Sequence, residues 1–284
     1  MTWLSLGQIE YLNCLPVYHA LEEGLIPLNG ELVKGPPTRL NRMFLEGALH
    51  CTPLSSIEYA KHAGDCFILP HLSIASDGRV ASVLFFSHLP VTELEGKKIC
   101  VTTASATSVV LLRILFEHYY HVEVEFHPVK ADLKTMLEMG EGVLLIGDNA
   151  MQAHQQVIRE GLPVFVTDLG QAWKDFTGEK MVYALWVIRR EFAEAYPQEA
   201  NAMAELLYSS LKIGMNNLPV LIKKAHRRTG LPPQVLEDYF HTIRYNFDDS
   251  YRRALLTFYD YAYKSGIIEE RVKLFIWGED TCQV

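Results

Sequence analysis

The chain has 284 residues, 49% hydrophobic and 21% charged, with 26 Lys+Arg against 34 Asp+Glu and a formal net charge of −8. That length suits two domains of ordinary size, and the acidic balance argues against nucleic acid or an anionic membrane as partner. Five cysteines (Cys14, Cys51, Cys66, Cys100 and Cys282) are odd in number and lack a C-x-x-C pair, which argues against a disulfide framework or zinc site and fits a reducing compartment.

Short apolar runs alternate with helical spacing through the first two-thirds of the chain, the signature of an α/β fold. Trp3 to Ile9 reads as a strand, and Pro16 opens a helix with Val17, Ala20 and Leu21 on one face. Gly30 to Lys34 is a second strand, and Thr38 caps a helix carrying Leu40, Met43, Phe44 and Leu45. Leu49 to Ser55 contains a third strand, and Ser55 or Ser56 caps the helix from Ile57 to His62. Two β-rich stretches follow, Phe67 to Ala75 and Val80 to Phe86. A second α/β unit then has strands at Lys97 to Thr102, Val122 to Pro128, Val143 to Ile146 and Val164 to Thr167. Its helices are Thr107 to Tyr119, Asp132 to Met139 and Asp148 to Glu160. Met181 to Ile188 is a long apolar strand, and beyond Arg190 the spacing is helical only.

A helical tail without strands of its own packs most economically on the first unit. The expected plan is a two-lobed α/β fold of the type II periplasmic-binding-protein kind, with mixed sheets and a ligand cleft between the lobes. Residues 1–87 plus 188–284 form lobe 1 and residues 88–187 lobe 2, with Val80–Ser87 and Met181–Ile188 as the crossing strands. The N-terminus shows no basic region followed by a long apolar core. Nor does any apolar run reach the roughly 20 residues of a membrane helix. A cytoplasmic protein without a membrane partner is expected.

Chemistry concentrates where strands lead into helices, because open α/β sheets bind ligands there. In Tyr11-Leu12-Asn13-Cys14-Leu15-Pro16, Asn13 offers a donor and an acceptor but no strong base; on local sequence alone, capping of the helix opened by Pro16 is the better explanation. Thr52-Pro53-Leu54-Ser55-Ser56 and Thr102-Thr103-Ala104-Ser105-Ala106-Thr107-Ser108 place hydroxyls and small residues at helix starts, where N–H groups and the helix dipole favour an anion. Capping is again the competing explanation. Without a Gly-rich loop or a lysine, the Thr102 to Ser108 segment is not a Walker-type site, and a carboxylate is the better ligand. Asp148, after Leu144-Leu145-Ile146-Gly147, stands at the cleft edge or caps its helix. The segment from Asp168-Leu169-Gly170 through Trp173 to Trp186 supplies aromatics that wall a ring or pack a core. Eleven histidines form no H-E-x-x-H, H-x-H or Cys/His cluster, so no metal or cofactor is expected.

In order and spacing, these segments resemble the chorismate dehydratase family of the futalosine route to menaquinone. The resemblance is carried by Tyr11-Leu12-Asn13, Ser55-Ser56-Ile57-Glu58-Tyr59, Ser82-Val83-Leu84-Phe85-Phe86-Ser87 and Ser105-Ala106-Thr107-Ser108. Ile146-Gly147-Asp148, Asp168-Leu169-Gly170, Thr177-Gly178 and Ala184-Leu185-Trp186 continue it. Glu179-Lys180-Met181 departs from the Leu-Pro-Phe often found there, and Cys14 stands where serine is common. The resemblance implies a lyase that converts chorismate to 3-[(1-carboxyvinyl)oxy]benzoate and water without a cofactor. Asn13 matches the family's active-site asparagine. Ser55, Ser56, Ser82, Ser105, Ala106, Thr107, Ser108, Asp148 and Trp186 are expected to meet substrate, and the substrate's own enolpyruvyl carboxylate is the candidate base. The rival readings are a cytoplasmic carboxylate-binding protein or sensor, and the related 1,4-dihydroxy-6-naphthoate synthase, whose N-terminal motif differs. A homodimer is left open.

Overall fold

The computed structural model describes residues 3–130 and 132–279; Cys282 lies outside the described residues. Ten strands are found there: β1 (Leu4–Gln8), β2 (Gly30–Lys34), β3 (Cys51–Ser55), β4 (Cys66–Ser76), β5 (Val83–Ser87), β6 (Lys98–Thr102), β7 (Glu125–Val129), β8 (Gly142–Ile146), β9 (Phe165–Asp168) and β10 (Met181–Arg189). They form two five-stranded sheets, in the orders β2-β1-β3-β10-β4 and β7-β6-β8-β5-β9. In each sheet four strands run one way and one, β10 or β5, runs against both of its neighbours, so the two repeat one plan.

That plan explains the sequence pattern. Central parallel strands are covered on both faces and read as continuous apolar runs; all five residues of β1 are buried, as are four of five in β8. The helices α1 (Leu15–Glu22), α2 (Pro37–Leu45) and α3 (Ser56–His62) belong to the first half of the chain. Next come α4 (Ala106–Leu115), α5 (Leu133–Met139), α6 (Gly147–Glu160) and α7 (Leu169–Thr177), then the tail α8 (Arg190–Ala195), α9 (Pro197–Asn216), α10 (Leu218–Thr229), α11 (Pro233–Thr242) and α12 (Asp249–Lys264). Part of the tail packs on helices of the first half: Ser210 on α9 donates to the Val17 carbonyl of α1 at 2.5 Å, and Tyr259 on α12 donates to the Ser56 carbonyl of α3 at 2.7 Å.

Two expectations are corrected. Val83–Ser87 pairs only within the second sheet and Met181–Arg189 only within the first, so neither strand crosses between sheets. The chain passes over between Ser76 and Val83 and returns between Asp168 and Met181, which moves the two expected boundaries. Each β-rich stretch is the first strand laid down after a crossing, and its apolar pattern carries no mark of which sheet receives it. Thr38 does not cap α2; Pro36 occupies that place and Pro37 opens the helix, where a proline lacks nothing the helix needs. The Asp168–Gly178 segment, given no element from the sequence, is a helix, with Asp168 accepting from Gly170 and Gln171 N–H groups and Gly178 closing it at φ +75°.

One close approach fixes the tail. A Cβ on Gly214 of α9 would lie 2.1 Å from the Pro16 carbonyl oxygen on α1, a backbone atom that cannot turn aside. Helix propensity favours Ala over Gly by about 1 kcal/mol, but forcing the helices apart costs about 1–3 kcal/mol or more. The steric term wins. Gly214→Ala should lower the melting temperature by several degrees in calorimetry; an unchanged or higher value would mean α1 and α9 are packed more loosely than described.

Candidate active site

A cleft of about 850 Å³ opens between the two sheets. The first sheet and its helices contribute Ile9, Tyr11, Asn13, Cys14, Asn41, Arg42, Pro53, Ser55, Glu58, Ile74, Tyr183 and Ala184. From the second side come Ser82, Val83, Val101 to Ala106, Ser108, Val109, Val110, Arg113, Ile146 and Gly147. An apolar bowl with a few converging polar groups is the usual form of a small-molecule site.

Three of those polar groups lack partners. Asn13 Oδ1, Asn41 Oδ1 and Ser55 Oγ are buried, and no protein group bonds them. Leaving such an atom unsatisfied costs about 1–3 kcal/mol, so three around one cleft describe a surface shaped for a bound polar molecule. Asn13 is firmly placed. It lies in the one-turn helix Leu12–Cys14, where Cys14 N–H donates to the Tyr11 carbonyl at 3.0 Å, Leu12 N–H to Asp148 Oδ1 at 2.9 Å, and the Tyr245 hydroxyl to the Asn13 carbonyl at 2.8 Å. Those bonds hold the backbone and leave the side-chain oxygen free.

Opposite stands the start of α4. Ser105 caps it, accepting from Ser108 N–H at 3.2 Å and donating to Ser108 Oγ at 3.0 Å. The first-turn N–H groups of Ala106 and Thr107 have no acceptor within the helix, and Ala106 lets a ligand come close. Ser82 follows Ala81, whose φ is +63°. Asp168 holds this bend by accepting from Val80 and Ala81 N–H groups, at 2.7 Å for the latter, and Tyr239 donates to Ser82 Oγ at 3.1 Å.

Charge in the cleft is of two kinds. Arg42 and Arg113 line it from opposite sides and form no ion pair among the described residues. Of the acids, Glu58 is paired with Lys61 at 2.9 Å and Glu46 has no ion pair, and no histidine or lysine lines the cleft among the described residues. Burial pushes the Cys14 thiol up to about 12, with the Asp148 charge adding to it, and burial likewise raises the phenols of Tyr11 and Tyr183. At neutral pH these three are protonated and act as donors rather than bases.

Of the expected contacts, Asn13, Ser55, Ser82, Ser105, Ala106 and Ser108 meet in the cleft. Four do not. Ser56 is fully buried and donates to the Val182 carbonyl at 2.7 Å. Thr107 Oγ1 accepts from Ile57 N–H at 3.1 Å, tying α4 to α3. Asp148 is occupied by Leu12 and, at 2.7 Å, by Arg228. Trp186 is 0% exposed and donates to the Tyr18 hydroxyl at 2.9 Å, while Trp173 packs against Phe176, Phe258 and Tyr261. Both tryptophans belong to the core, and Tyr11 and Tyr183 supply aromatic wall in their place. Sequence reading missed Asn41, Arg42 and Arg113. On α2 the buried stripe is Leu40 and Phe44, so Asn41 and Arg42 flank it as polar residues on an exposed face would.

A profile of a family described as menaquinone biosynthesis matches residues 4–264. A chorismate dehydratase of Thermus thermophilus is 31% identical over 265 residues, covering 89% of this chain and 93% of that protein. Among solved structures, an Archaeoglobus fulgidus protein superposes with TM-score 0.75 at 20% identity, over 93% of this chain and 98% of its own. The periplasmic aliphatic sulphonate-binding protein of Escherichia coli gives 0.69 at 15%, over 98% of both chains. These two likenesses concern the fold, which is the two-sheet, cleft-bearing architecture expected from the sequence.

The thiolate is the reactive form of cysteine, and a thiol with pKa about 12 is ionised to about one part in ten thousand at pH 8. Cys14 is also only 3% exposed. Iodoacetamide at pH 8 should therefore leave Cys14 unlabelled in the native protein and label it after denaturation, as read by peptide mass mapping. Rapid native labelling at Cys14 would contradict this account of the cleft.

Proposed function

We propose that this chain, which belongs to the menaquinone-biosynthesis family, converts chorismate to 3-[(1-carboxyvinyl)oxy]benzoate and water. The convergence of three unpartnered, buried polar atoms on one cleft carries this reading within the family. A non-catalytic protein would share the fold, since fold alone does not set activity.

The reaction removes the proton at C3 and breaks the C4–O bond. The C–H electron pair becomes a ring π bond, and the hydroxyl leaves with the proton as water. Aromatisation supplies the driving force, so the protein's work is to orient the ring, hold two carboxylates and keep bulk water out. Asn13 Oδ1 accepts from the C4 hydroxyl and fixes the leaving group. The free N–H groups and hydroxyls at the α4 start receive the ring carboxylate, with Ser55 and Ser82 bordering the same space. Protonated Tyr11 and Tyr183 bound the ring. Arg42 and Arg113 draw a dianion toward a protein of net charge −8. The cleft's own carboxylates are Glu46 and Glu58, and no histidine or lysine lines it among the described residues; the enolpyruvyl carboxylate of the substrate, held beside C3, is the base in this reading and passes its proton to the leaving hydroxyl. The division into two halves that close over the substrate follows the crossings at residues 77–82 and 169–180.

Purified protein mixed with chorismate, without added metal or cofactor, should yield an aromatic product lighter by one water in chromatography with mass detection. Binding without turnover would favour a sensor instead. Asn13→Ala should lower kcat by roughly 100-fold with the melting temperature unchanged; full activity would remove Asn13 from the mechanism. Arg113→Gln should raise KM several-fold while sparing kcat, and weaken the rise of KM with added salt. A kcat loss without a KM change would refute the recruiting role.

A further inference from the structure

Asp148 sits where a helix-capping acid is common, yet it caps nothing. The N-cap of α6 is Ile146, and Asp148 lies inside the first turn. Both its oxygens reach out of the helix. Oδ1 accepts from Leu12 N–H at 2.9 Å, and Oδ2 pairs with Arg228 at the end of α10 at 2.7 Å. The turn beneath it is built for this aim. Gly147 takes φ +58°, a conformation that disfavours side-chain-bearing residues, and its N–H donates to the Ser82 carbonyl at 2.6 Å. A Cβ there would touch the Tyr11 ring at 3.7 Å, so the turn also lies against the residue that precedes Leu12.

We propose that Asp148 is a positioning residue for the dehydration: its carboxylate, carried by the second sheet, pins the Leu12–Cys14 turn of the first so that Asn13 Oδ1 faces the cleft. This rests on the assignment of Asn13 as the group that orients the substrate. The Leu12 N–H has no other acceptor among the described residues, and the Asn13 side chain is one residue further on. Arg228 orients the carboxylate from the far side. The pin joins the two halves of the molecule, so the Asn13 geometry is complete only when they are closed. Asp148 itself does not line the cleft, and its effect on rate passes through Asn13.

A double-mutant cycle separates this role from general support. Asp148→Ser keeps a residue that helix starts accept but is too short to reach Leu12; it should lower kcat about tenfold or more in the otherwise native protein. Added to Asn13→Ala, the same change should lower kcat less than about twofold, because the group it positions is already gone. Asp148→Asn, whose amide oxygen still accepts from Leu12 N–H, should keep at least about half of native kcat. Equal losses from Asp148→Ser in both backgrounds would overturn the proposal, since Asp148 would then act independently of Asn13. Should Asp148→Ser not fold, Asp148→Asn still decides: a kcat as low as that of Asn13→Ala overturns it. A fully active Asn13→Ala would sink the Asn13 assignment and this proposal together, a result distinct from failure of the pin alone.

Discussion

Two side chains of the second half, Asp148 and Thr107, accept hydrogen bonds from backbone N–H groups at Leu12 and Ile57 of the first. Those N–H groups begin helical turns, where no acceptor exists within the helix. Elsewhere in the chain such donors are satisfied locally, as Asp132 does for α5 and Asp248 for α12. Across the cleft, the satisfaction comes from the other sheet. A neutral bond of this kind contributes about 0.5–1.5 kcal/mol and a charged one about 1.5–3. These bonds add to an apolar core common to both halves, in which Leu54 and Trp186 of the first join Leu111, Leu144 and Trp173 of the second.

The same economy shapes the chemistry. A cleft that carried its own strong base would need a histidine or a desolvated carboxylate aimed at the ring. Here burial instead keeps Cys14, Tyr11 and Tyr183 protonated, and the unpartnered atoms belong to two amides and a hydroxyl. Such groups orient a molecule well and take up protons poorly. A reaction whose product is aromatic, and whose substrate brings two carboxylates, asks little more of its host. The two unpaired arginines then answer the charge of an acidic protein where the ligand enters.

Much of this was legible in the sequence for one reason: buried parallel strands leave apolar runs, and the loops at their ends are short. Asn13, Ser55, Ser82, Ser105 and Ser108 could be placed because each follows or precedes such a run. Ser56 could not be separated from Ser55, because adjacent residues at a helix start turn to different sides, one to the cleft and one to the Val182 carbonyl. Trp186 and its neighbour Tyr183 lie on one strand, yet only the second lines the cleft; alternation tells faces apart but not which face holds ligand. Arg42 and Arg113 sit on helix faces that look solvent-exposed from spacing alone. The sheet membership of Val83–Ser87 and Met181–Arg189 depends on long-range pairing, which local pattern does not encode. Asp148 was visible as an acid at a helix start, but its partners lie 136 and 80 residues away.

The most direct test of the central claim is a crystal structure of the protein with its aromatic product bound. The account places the ring between Tyr11 and Tyr183, one carboxylate at the start of α4, and the former C4 position facing Asn13 Oδ1. Product found outside this cleft, as in the polar hollow lined by Lys130, Asn149, Gln152 and Arg159, or inside it with Asn13 still unpartnered and turned from the ring, would contradict the account.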